Sequence, residues 1–338
     1  MSILVTGGTG FLGRHLIEQL LQKGEKKIKV LTRSFDYELG ELGIEQIEGS
    51  LLDHDALKRA LENVKYVYHL AGRVERDPSS AHLMYELHVD GTRHLLDRIV
   101  GTKVKKIVVA STSGTVGVSK FDDYIADDSS PTVEDIVSKW PYYLSKIYAE
   151  RVCERYIREY NLPIIMMRPT LLLGPGDERK SSTEDVVKFL NGDIPSVPSG
   201  GLSFVDVRDV ASAFIEAMEV GEAGEHFLLG AQNLTVESFF DELSLLSGKT
   251  PPKLHLPQSA AVMGAKVLDS AMRIFGKRAS VDPVSVDMSG YYWYIDSKNA
   301  EQKLGWNPRS PRLTLRDTIK DIRKRQERDA TPPEFGLR

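Results

Sequence analysis

The sequence predicts an α/β protein with a doubly wound parallel sheet covered by helices and a smaller lobe towards the C-terminus. Three observations predict this fold. Apolar runs alternate with segments of helical periodicity through the first two thirds of the chain. The first apolar run leads directly into a glycine-rich turn. After Arg168, segments 174–203 and 250–295 are richer in Pro, Gly and irregular spacing.

The regular elements follow one another in a simple order. Short apolar runs predict strands at residues 3–5, 28–31, 44–47, 66–70, 107–110 and 164–167. Helical spacing predicts helices at residues 12–21, 55–62, 83–100 and 142–160, and Gly24 is a C-cap for the first of them. Strands that alternate with helices in this way form a parallel sheet with both faces covered.

The change of pattern after Arg168 predicts two domains whose boundary is not a single point. Residues 1–170 are assigned to a nucleotide-binding domain, to which segments at about 204–245 return because they look regular again. The remaining segments, 171–203 and 246–325, are assigned to a substrate-binding lobe. Residues 326–338 are expected to form a C-terminal tail.

Composition excludes several classes of protein. The 338 residues carry 44 Lys and Arg against 48 Asp and Glu, a net charge of −4, which does not favour nucleic-acid binding. A hydrophobic content of 41% is enough for a large core. The lone Cys153 cannot form an intramolecular disulfide, and together with the absence of a signal peptide it favours the cytoplasm. No uncharged apolar run reaches the ~18 residues of a membrane span.

The first strand runs into Thr6-Gly7-Gly8-Thr9-Gly10-Phe11-Leu12-Gly13, which opens an amphipathic helix. Glycines at this spacing allow a tight turn, a close approach of backbone to a pyrophosphate, and close packing of the helix. The helix N-terminus offers free N–H groups and a positive dipole end to the phosphates. We therefore expect a dinucleotide to contact Gly7, Thr9, Gly10, Phe11, Leu12 and Gly13.

The end of the second strand bears on which dinucleotide is bound. An acidic residue there would accept a hydrogen bond from the adenosine ribose of NAD, but this position is Thr32, and Arg33 follows. Arginine can pair with a 2′-phosphate through a bidentate contact. The sequence thus favours NADP(H) over NAD(H), although the nearby Asp36 argues for NAD(H).

Hydroxyl groups and a lysine provide a candidate catalytic set. Ser111, Thr112 and Ser113 follow a predicted strand, at the edge of the sheet where ligands bind. Tyr142 and Lys146 are four residues apart and share one face of a helix. A neighbouring ammonium group is expected to lower the phenol pKa of the tyrosine from its usual value near 10.

These motifs resemble the extended short-chain dehydrogenase/reductase family, also called the NAD(P)-dependent epimerase/dehydratase family. The resemblance is carried by the TGGTGFLG loop, the STS run at 111–113 and the YYLSK motif at 142–146. It extends through HLAG at 69–72, RP at 168–169, GPGD at 174–177, SK at 297–298 and LGW at 304–306. Within the family, the sequence is most similar to the dihydroflavonol-reductase-like and hopanoid-associated sugar-epimerase-like branch.

The resemblance implies roles for individual residues. It implies a Rossmann domain in which Tyr142 is the general acid and base, and Lys146 tunes it and binds the nicotinamide ribose. Ser113 would orient the reacting oxygen, with Ser111 or Thr112 as alternatives. Further cofactor contacts implied by the resemblance are Ser50, Leu51, Leu70, Ala71, Gly72, Tyr142, Lys146, Pro169 and Thr170. Family members are often dimers paired through helices matching 82–100 and 142–160, so a homodimer is also implied.

The sequence departs from the family pattern at three positions. His88 stands where the family often has Asn, which puts any water relay through that side chain in doubt. Ser50 stands where an aspartate is usual before the adenine-contacting leucine, and Gly117 replaces a common tyrosine.

Residues of the predicted substrate lobe indicate whether the chain is a carbonyl reductase or a nucleotide-sugar epimerase or dehydratase. Sugar-nucleotide enzymes of this family often use arginines for the pyrophosphate, but Leu202 occupies one such position, and the 288–295 stretch before the Ser-Lys motif is aromatic and uncharged. A buried diphosphate without such partners would be costly. Tyr291 and Trp293 of that stretch are candidate substrate contacts, which favours a small or apolar carbonyl compound.

Other readings stay open on the sequence. Arg179, Lys180 and Arg208 are candidate phosphate ligands for the epimerase alternative. A non-catalytic cofactor-binding regulator is a third class, which the presence of both Tyr142 and Lys146 disfavours.

Two further kinds of partner are not expected. The eight histidines show no metal-ligand spacing, so no metal site is expected. Segment 256–275 is helical and amphipathic, with Lys266, Arg273 and Lys277 nearby, but its Asp269 and the acidic net charge make membrane association unexpected.

Overall fold

The structure is a computed structural model that describes residues 2–75, 80–274 and 282–330. Its main sheet contains seven strands in the order β3-β2-β1-β4-β5-β6-β9, and every neighbouring pair is parallel. The strands of this sheet are β1 (Ser2–Thr6), β2 (Lys27–Thr32), β3 (Glu45–Glu48), β4 (Tyr66–His69), β5 (Lys106–Ala110), β6 (Ile164–Pro169) and β9 (His226–Leu229). This is the doubly wound Rossmann-type sheet that the sequence predicts.

The helices connect these strands and cover both faces of the sheet. They are α1 (Phe11–Gln22), α2 (Tyr37–Glu41), α3 (His54–Ala60), α4 (Ala81–Tyr85), α5 (Gly91–Ile99), α6 (Glu134–Val137), α7 (Pro141–Tyr160), α8 (Glu184–Asn191), α9 (Val207–Val220), α10 (Val236–Ser247), α11 (Gln258–Ile274), α12 (Pro283–Met288), α13 (Lys298–Leu304) and α14 (Pro311–Ala330). A π-helical turn, Glu86–Asp90, joins α4 to α5, and a 3-10 turn, Ser113–Thr115, follows β5.

Two hydrophobic cores hold helices against opposite faces of the sheet. On one face, Leu16 of α1 and Phe214 of α9 are fully buried beneath the strands. On the other face, Leu57, Leu95 and Cys153 from α3, α5 and α7 form the second core. The thiol of Cys153 is therefore free and buried, and burial raises its pKa to about 12.

A second sheet contains three strands that follow β6 in the chain. It has the order β10-β8-β7 and contains β7 (Leu171–Leu173), β8 (Gly201–Asp206) and β10 (Gln232–Thr235). Helices α8, α10 and α14 pack on it through a third core, which includes Val186, Phe240 and Leu315. Because α14 continues to Ala330, residues 326–330 of the predicted tail are helical, and residues 331–338 lie outside the described part of the chain.

The order of strands determines where a ligand can bind. Strand β1 lies between β2 and β4, so the chain leaves β1 in opposite directions on its two sides. Ligands of open parallel sheets bind beyond the carboxyl ends of the strands at such a switch point. The glycine turn after β1 and the loop after β4 both lie there.

Two predicted helices differ in detail from the structure. The predicted helix at 83–100 is interrupted by the π-helical turn, which contains His88. The predicted helix at 256–275 is α11, whereas Phe275 and Lys277 lie outside the described residues. Across 2–75, 80–274 and 282–330, no helix is long and apolar enough to span a bilayer.

Candidate active site

The glycine turn after β1 is packed so tightly that side chains are excluded. Gly7 has a φ of +75°, and a Cβ atom there would lie 2.7 Å from the backbone nitrogen of Ala71. A Cβ on Gly13 would lie 2.2 Å from the carbonyl oxygen of Gly7. Gly10 precedes α1 in an extended conformation and has no side chain to cap the helix, so the first N–H groups of α1 remain open to an anion. The turn therefore fits a dinucleotide pyrophosphate.

The part of the cleft at the ends of β2 and β3 is where the sequence predicts the adenosine of the cofactor, and we call it the adenosine end. Asp36 is engaged within the protein, because it accepts a hydrogen bond from the backbone N–H of Leu39 and pairs with Arg14 at 2.7 Å. Arg14 also contacts Glu38. Arg33 is exposed and lines the cleft, and it has no ion-pair partner within the described ranges. The Ser50 hydroxyl accepts from the N–H of Leu52.

The loop after β4 is fixed by buried polar groups. His69 bridges the hydroxyls of Thr6 and Thr92, at 2.7 and 2.9 Å. Burial, aided by the charge of Lys146, lowers its pKa to about 3, so its imidazole is neutral at physiological pH. The neutral ring ends β4, and it holds Leu70, Ala71 and Gly72 beside the glycine turn.

The three hydroxyls after β5 have different surroundings. Ser111 donates a hydrogen bond to Glu150, which is buried and forms a bidentate pair with Arg168. Thr112 accepts from the N–H of Gly114 and lies within hydrogen-bonding reach of the Tyr142 hydroxyl. The Ser113 hydroxyl lines the cleft and forms no hydrogen bond to any other group in the described part of the protein. The Ser111 hydroxyl is therefore engaged by Glu150, and Thr112 and Ser113 remain as the candidate groups for a reacting oxygen.

Tyr142 and Lys146 lie one turn apart near the N-terminus of α7. Pro141 occupies the first helical position, where its missing N–H costs no hydrogen bond. The ammonium of Lys146 donates to the carbonyl oxygen of Ala110 at 2.9 Å, at the end of β5. Both side chains line the cleft beside Thr112 and Ser113.

The expected lowering of the tyrosine pKa is wrong for the chain by itself. Burial raises the pKa of Tyr142 to about 12, and only the hydrogen bond from Thr112 opposes that shift. Lys146 does not offset it, because its ammonium is directed to the Ala110 carbonyl. Burial also lowers the pKa of Lys146 to about 8, although Glu150 and Cys153 act in the opposite direction. Tyr142 is thus a protonated acid at neutral pH.

One cleft connects all of these groups. It measures about 2100 Å³, which exceeds the ~300–1,000 Å³ of a typical single-ligand pocket. One side, the strand-end wall, consists of the loops at the carboxyl ends of strands β1 to β6 together with the first turns of α1 and α7. Every cofactor position predicted from the sequence lies on it, including Ser50, Leu51, Pro169 and Thr170.

A second part of the lining, which we call the apolar wall, is built mainly by the second half of the chain. Three aromatic rings form its centre, since Tyr143 lies 4.8 Å and Trp140 lies 5.5 Å from Trp293 between ring centroids. Its members are Trp140, Tyr143, Leu202, Phe239, Phe240, Leu268, Val284, Met288 and Trp293. Of these, Trp293 was predicted from the sequence as a substrate contact, and Leu202 was noted at a position where sugar-nucleotide enzymes often have arginine. The other members were not predicted, because apolar residues in helices give the same periodic signal whether they face a core or a cleft.

Two predicted ligand residues do not face the cleft. Tyr291 packs edge-on against Trp140 and accepts a hydrogen bond from Lys139, and it is absent from the described residues that line the cleft. Arg208 is held by Asp206 at 2.7 Å and Asp317 at 2.9 Å, and it is also absent from the described lining of the cleft. Arg179 and Lys180 are exposed at the cleft. In the described ranges, no three His, Cys, Asp or Glu side chains converge as metal ligands.

Comparison with known proteins decides the family. The sequence profile of the "NAD dependent epimerase/dehydratase family" matches residues 3–230. The chain belongs to this family. It is therefore an NAD(P)-dependent oxidoreductase of the extended short-chain dehydrogenase/reductase type, which confirms the resemblance and the enzyme class predicted from the sequence.

Individual relatives cover nearly the whole chain. A putative dihydroflavonol 4-reductase of Synechocystis sp. is 29% identical over 324 residues, covering 93% of this chain and 92% of its own. Sterol demethylase protein B of Methylococcus capsulatus is 28% identical, covering 96% and 99%. The crystal structure of gox2253 has a TM-score of 0.82 at 32% identity, covering 96% and 98%. UDP-glucose 4-epimerase of Thermotoga maritima shares the fold, with a TM-score of 0.74 at 24% identity, covering 96% and 100%.

The departures from the family pattern have local physical reasons. Gly117 leaves no room for the tyrosine common there, because a Cβ atom would lie 2.6 Å from the Ile295 side chain. His88 occupies the position where the family often has Asn, and its ring is buried between the loop after β4 and α7.

Proposed function

We propose that the chain is an NADP(H)-dependent reductase of a ketone or aldehyde group carried by an apolar substrate. The observation that carries this proposal is the apolar wall beside Tyr142, whose ring meets the Tyr143 ring edge-on at 5.0 Å between centroids. Trp140, Tyr143 and Trp293 form a ring-lined surface there, and Leu202 lies where sugar-nucleotide enzymes often place an arginine. Such a surface suits the apolar body of a flat or ring-bearing carbonyl compound.

The adenosine end supports NADP(H) as the cofactor. A carboxylate that binds the ribose hydroxyls of NAD has to be free to accept hydrogen bonds. Asp36 is engaged by Arg14 and by the N-terminus of α2. Arg33 is exposed at the cleft and suits a 2′-phosphate, because a guanidinium can donate two parallel hydrogen bonds to it.

In the proposed reaction, the reduced nicotinamide supplies hydride to the carbonyl carbon when the cofactor is bound. Tyr142 donates its proton to the carbonyl oxygen as negative charge develops there. The hydroxyl of Thr112 then donates a hydrogen bond to the phenolate of Tyr142, and Ser113 donates one to the substrate oxygen. The Lys146 ammonium, fixed by the Ala110 carbonyl, would hold the nicotinamide ribose.

The relatives support an apolar substrate. Two relatives, which cover 93% and 96% of the chain, are named for a dihydroflavonol and a sterol. Cinnamoyl-CoA reductase 1 of Arabidopsis thaliana is 28% identical over 244 residues. The names of these proteins therefore favour a reductase of a compound with an apolar ring or side chain over a sugar nucleotide.

A nucleotide-sugar epimerase or dehydratase is the second candidate, and one observation favours it. Arg179 and Lys180 are exposed at the cleft and could meet a diphosphate, whereas Arg208 is already paired. These cations lie in the loop before α8, and Asp177 binds the next three backbone N–H groups of that loop.

The proposal is tested by substrate class. Purified enzyme is assayed for NADPH oxidation with a series of flat ketones and aldehydes of increasing size, and in parallel for turnover of UDP-glucose and dTDP-glucose. We expect NADPH oxidation by carbonyl compounds that rises with apolar surface, and no sugar-nucleotide turnover. Conversion of a sugar nucleotide with no carbonyl reduction would replace the proposal with the epimerase or dehydratase reading.

A further inference from the structure

We infer that His88 is a positioning residue, which holds the loop after β4 against α7 and thereby sets the distance between the cofactor and the Tyr142–Lys146 pair. The inference rests on the proposed function, because it concerns the same cleft. It also goes beyond that function, because it explains what the histidine does at a position where the family often has Asn.

His88 makes a hydrogen bond on each side of its ring. Its Nε2 accepts from the backbone N–H of Arg73 at 3.0 Å, and its Nδ1 lies 2.8 Å from the Ser145 hydroxyl. Only 1% of the residue is exposed. The ring thus links the loop after β4 directly to α7, two elements that both line the cleft.

The hydrogen-bonding pattern determines where the imidazole proton lies. Ser145 donates its only hydroxyl proton to the carbonyl oxygen of Tyr142 at 2.7 Å, so it must accept from Nδ1–H of His88. The amide of Arg73 can only donate, so Nε2 carries a lone pair. Burial, aided by the charge of Lys146, lowers the pKa of His88 well below its usual value, which maintains this neutral tautomer.

The π-helical turn explains how the side chain reaches this place. Residues 86–90 form a single wide turn between α4 and α5, and His88 is its buried member. Such turns shift a side chain relative to a regular helix and occur frequently at functional sites. The ring also meets Tyr142 edge-on, with 5.8 Å between ring centroids.

The clamped loop passes directly beside the catalytic lysine. A Cβ atom on Gly72 would lie 3.3 Å from Nε2 of His88 and 3.6 Å from Nζ of Lys146. A shift of this loop would therefore move the backbone that lines the cofactor site relative to Lys146. A misplacement of about 1 Å can cost on the order of 100-fold in rate.

Replacement variants can separate the two hydrogen bonds. Gln places a carbonyl oxygen near the position of Nε2, whereas Asn places its amide near Nδ1. His88→Gln can therefore keep the loop contact, His88→Asn can keep the α7 contact, and His88→Ala removes both. His94→Ala is a matched control, because it removes a half-buried imidazole from α5 that lies outside the described cleft lining.

The experiment measures the Kd for NADPH, kcat and KM with the best carbonyl substrate, and hydrogen exchange of the Arg73 amide. We expect His88→Ala to weaken NADPH binding about tenfold, to lower kcat, and to speed exchange at Arg73 in a protein that stays folded by circular dichroism. His88→Gln should restore the Kd more than His88→Asn does, and His94→Ala should leave the Kd unchanged.

Three outcomes would overturn the inference. They are a wild-type Kd and exchange rate in His88→Ala, equal rescue by Asn and Gln, or an equal loss in His94→Ala. If His88→Ala does not fold, the order of Asn and Gln decides alone. A wild-type protein that binds no nicotinamide dinucleotide would instead refute the proposed function, so the two failures are distinguishable.

Discussion

The two walls of the cleft are built by different physical means. The strand-end wall is fixed by backbone contacts and by buried, hydrogen-bonded polar groups such as His69 and the Glu150–Arg168 pair. The apolar wall is fixed mainly by the packing of rings and aliphatic side chains, with Trp140, Tyr143 and Trp293 at its centre. Polar contacts demand exact partners, whereas apolar packing tolerates substitutions of similar volume. We therefore expect the first wall to specify the chemistry and the second to select the substrate.

The largest effect is expected for Tyr142→Phe, which removes the proposed proton donor from the strand-end wall. Turnover should fall by about 10²–10⁴-fold, the usual contribution of general acid catalysis. Binding of NADPH should change little, because the phenyl ring keeps its contacts. Steady-state kinetics and a cofactor titration on the same preparation check both statements. Unchanged turnover would show that Tyr142 is not the acid.

The next effect is expected for Gly13→Ala, which tests how far backbone contacts control the strand-end wall. The added methyl would meet the Gly7 carbonyl at 2.2 Å, so the turn has to move. We expect dinucleotide affinity to fall by at least about 100-fold, since both the approach to the pyrophosphate and the packing of the helix depend on this turn. Gly264→Ala in α11 is the control, because nothing lies within 4 Å of its added methyl. Native affinity in Gly13→Ala would contradict the account.

A smaller effect is expected for Trp293→Ala on the apolar wall. The catalytic efficiency kcat/KM with a bulky apolar carbonyl should fall about tenfold or more, because part of the ring-lined surface is lost. The Kd for NADPH should not change. Tyr291→Ala is the matched control, since Tyr291 lies two residues away on the same segment but packs on Trp140. Equal losses in both variants would show that folding of the segment, not the wall, is affected.

The smallest effect is expected on stability, at Asp128, a residue that belongs to neither wall. Burial raises the pKa of Asp128 to about 6, although the Leu228 N–H bonded to it opposes this shift. The folded protein therefore keeps this proton up to about pH 6, whereas the unfolded chain loses it near 3.8. The contribution of Asp128 to stability is full below the unfolded pKa and is lost as pH rises through the folded pKa.

Asp128→Asn replaces the carboxyl group by a neutral amide, so stability is no longer lost when pH rises above 6. The free energy of unfolding should therefore rise at pH 7 by up to about 3 kcal/mol, with no gain near pH 4. Thermal unfolding across this pH range measures the difference. Asp127→Asn is the control, because hydrogen bonds from Ser129 lower the pKa of that carboxylate. A stabilisation by Asp128→Asn that is the same at both pH values would contradict the assignment.

The same contrast explains what could be predicted from the sequence. Backbone constraints leave a mark on residue type, so Gly7, Gly10 and Gly13 indicated the turn, and the spacing of Tyr142 and Lys146 indicated one helix face. The run Ser111-Thr112-Ser113 remained ambiguous, because only the three-dimensional partners separate one hydroxyl from the next. The direction of the Tyr142 pKa shift depended on where the Lys146 ammonium points, which spacing alone does not determine.

The apolar wall was harder to predict for a related reason. Phe239 and Phe240 are buried side chains of helix α10. The sequence shows the same periodic pattern of apolar residues whether such a helix covers a core or a ligand. Tyr291 and Trp293 are neighbours in a short irregular segment, where no periodicity tells which ring faces the cleft. The role of His88 depends on a π-helical turn. The sequence pattern predicts a continuous helix over residues 83–100, so this turn could not be predicted.

The central claim, an NADP(H)-dependent carbonyl reductase, is tested most directly by its cofactor. The purified protein is denatured, any released nucleotide is identified by mass spectrometry, and apo protein is titrated with NADPH and NADH. We predict exchangeable binding with NADPH at least about tenfold tighter, or about 1.4 kcal/mol, and loss of that preference in Arg33→Ser. Stoichiometric, slowly released NAD would contradict the claim and direct the search to sugar nucleotides.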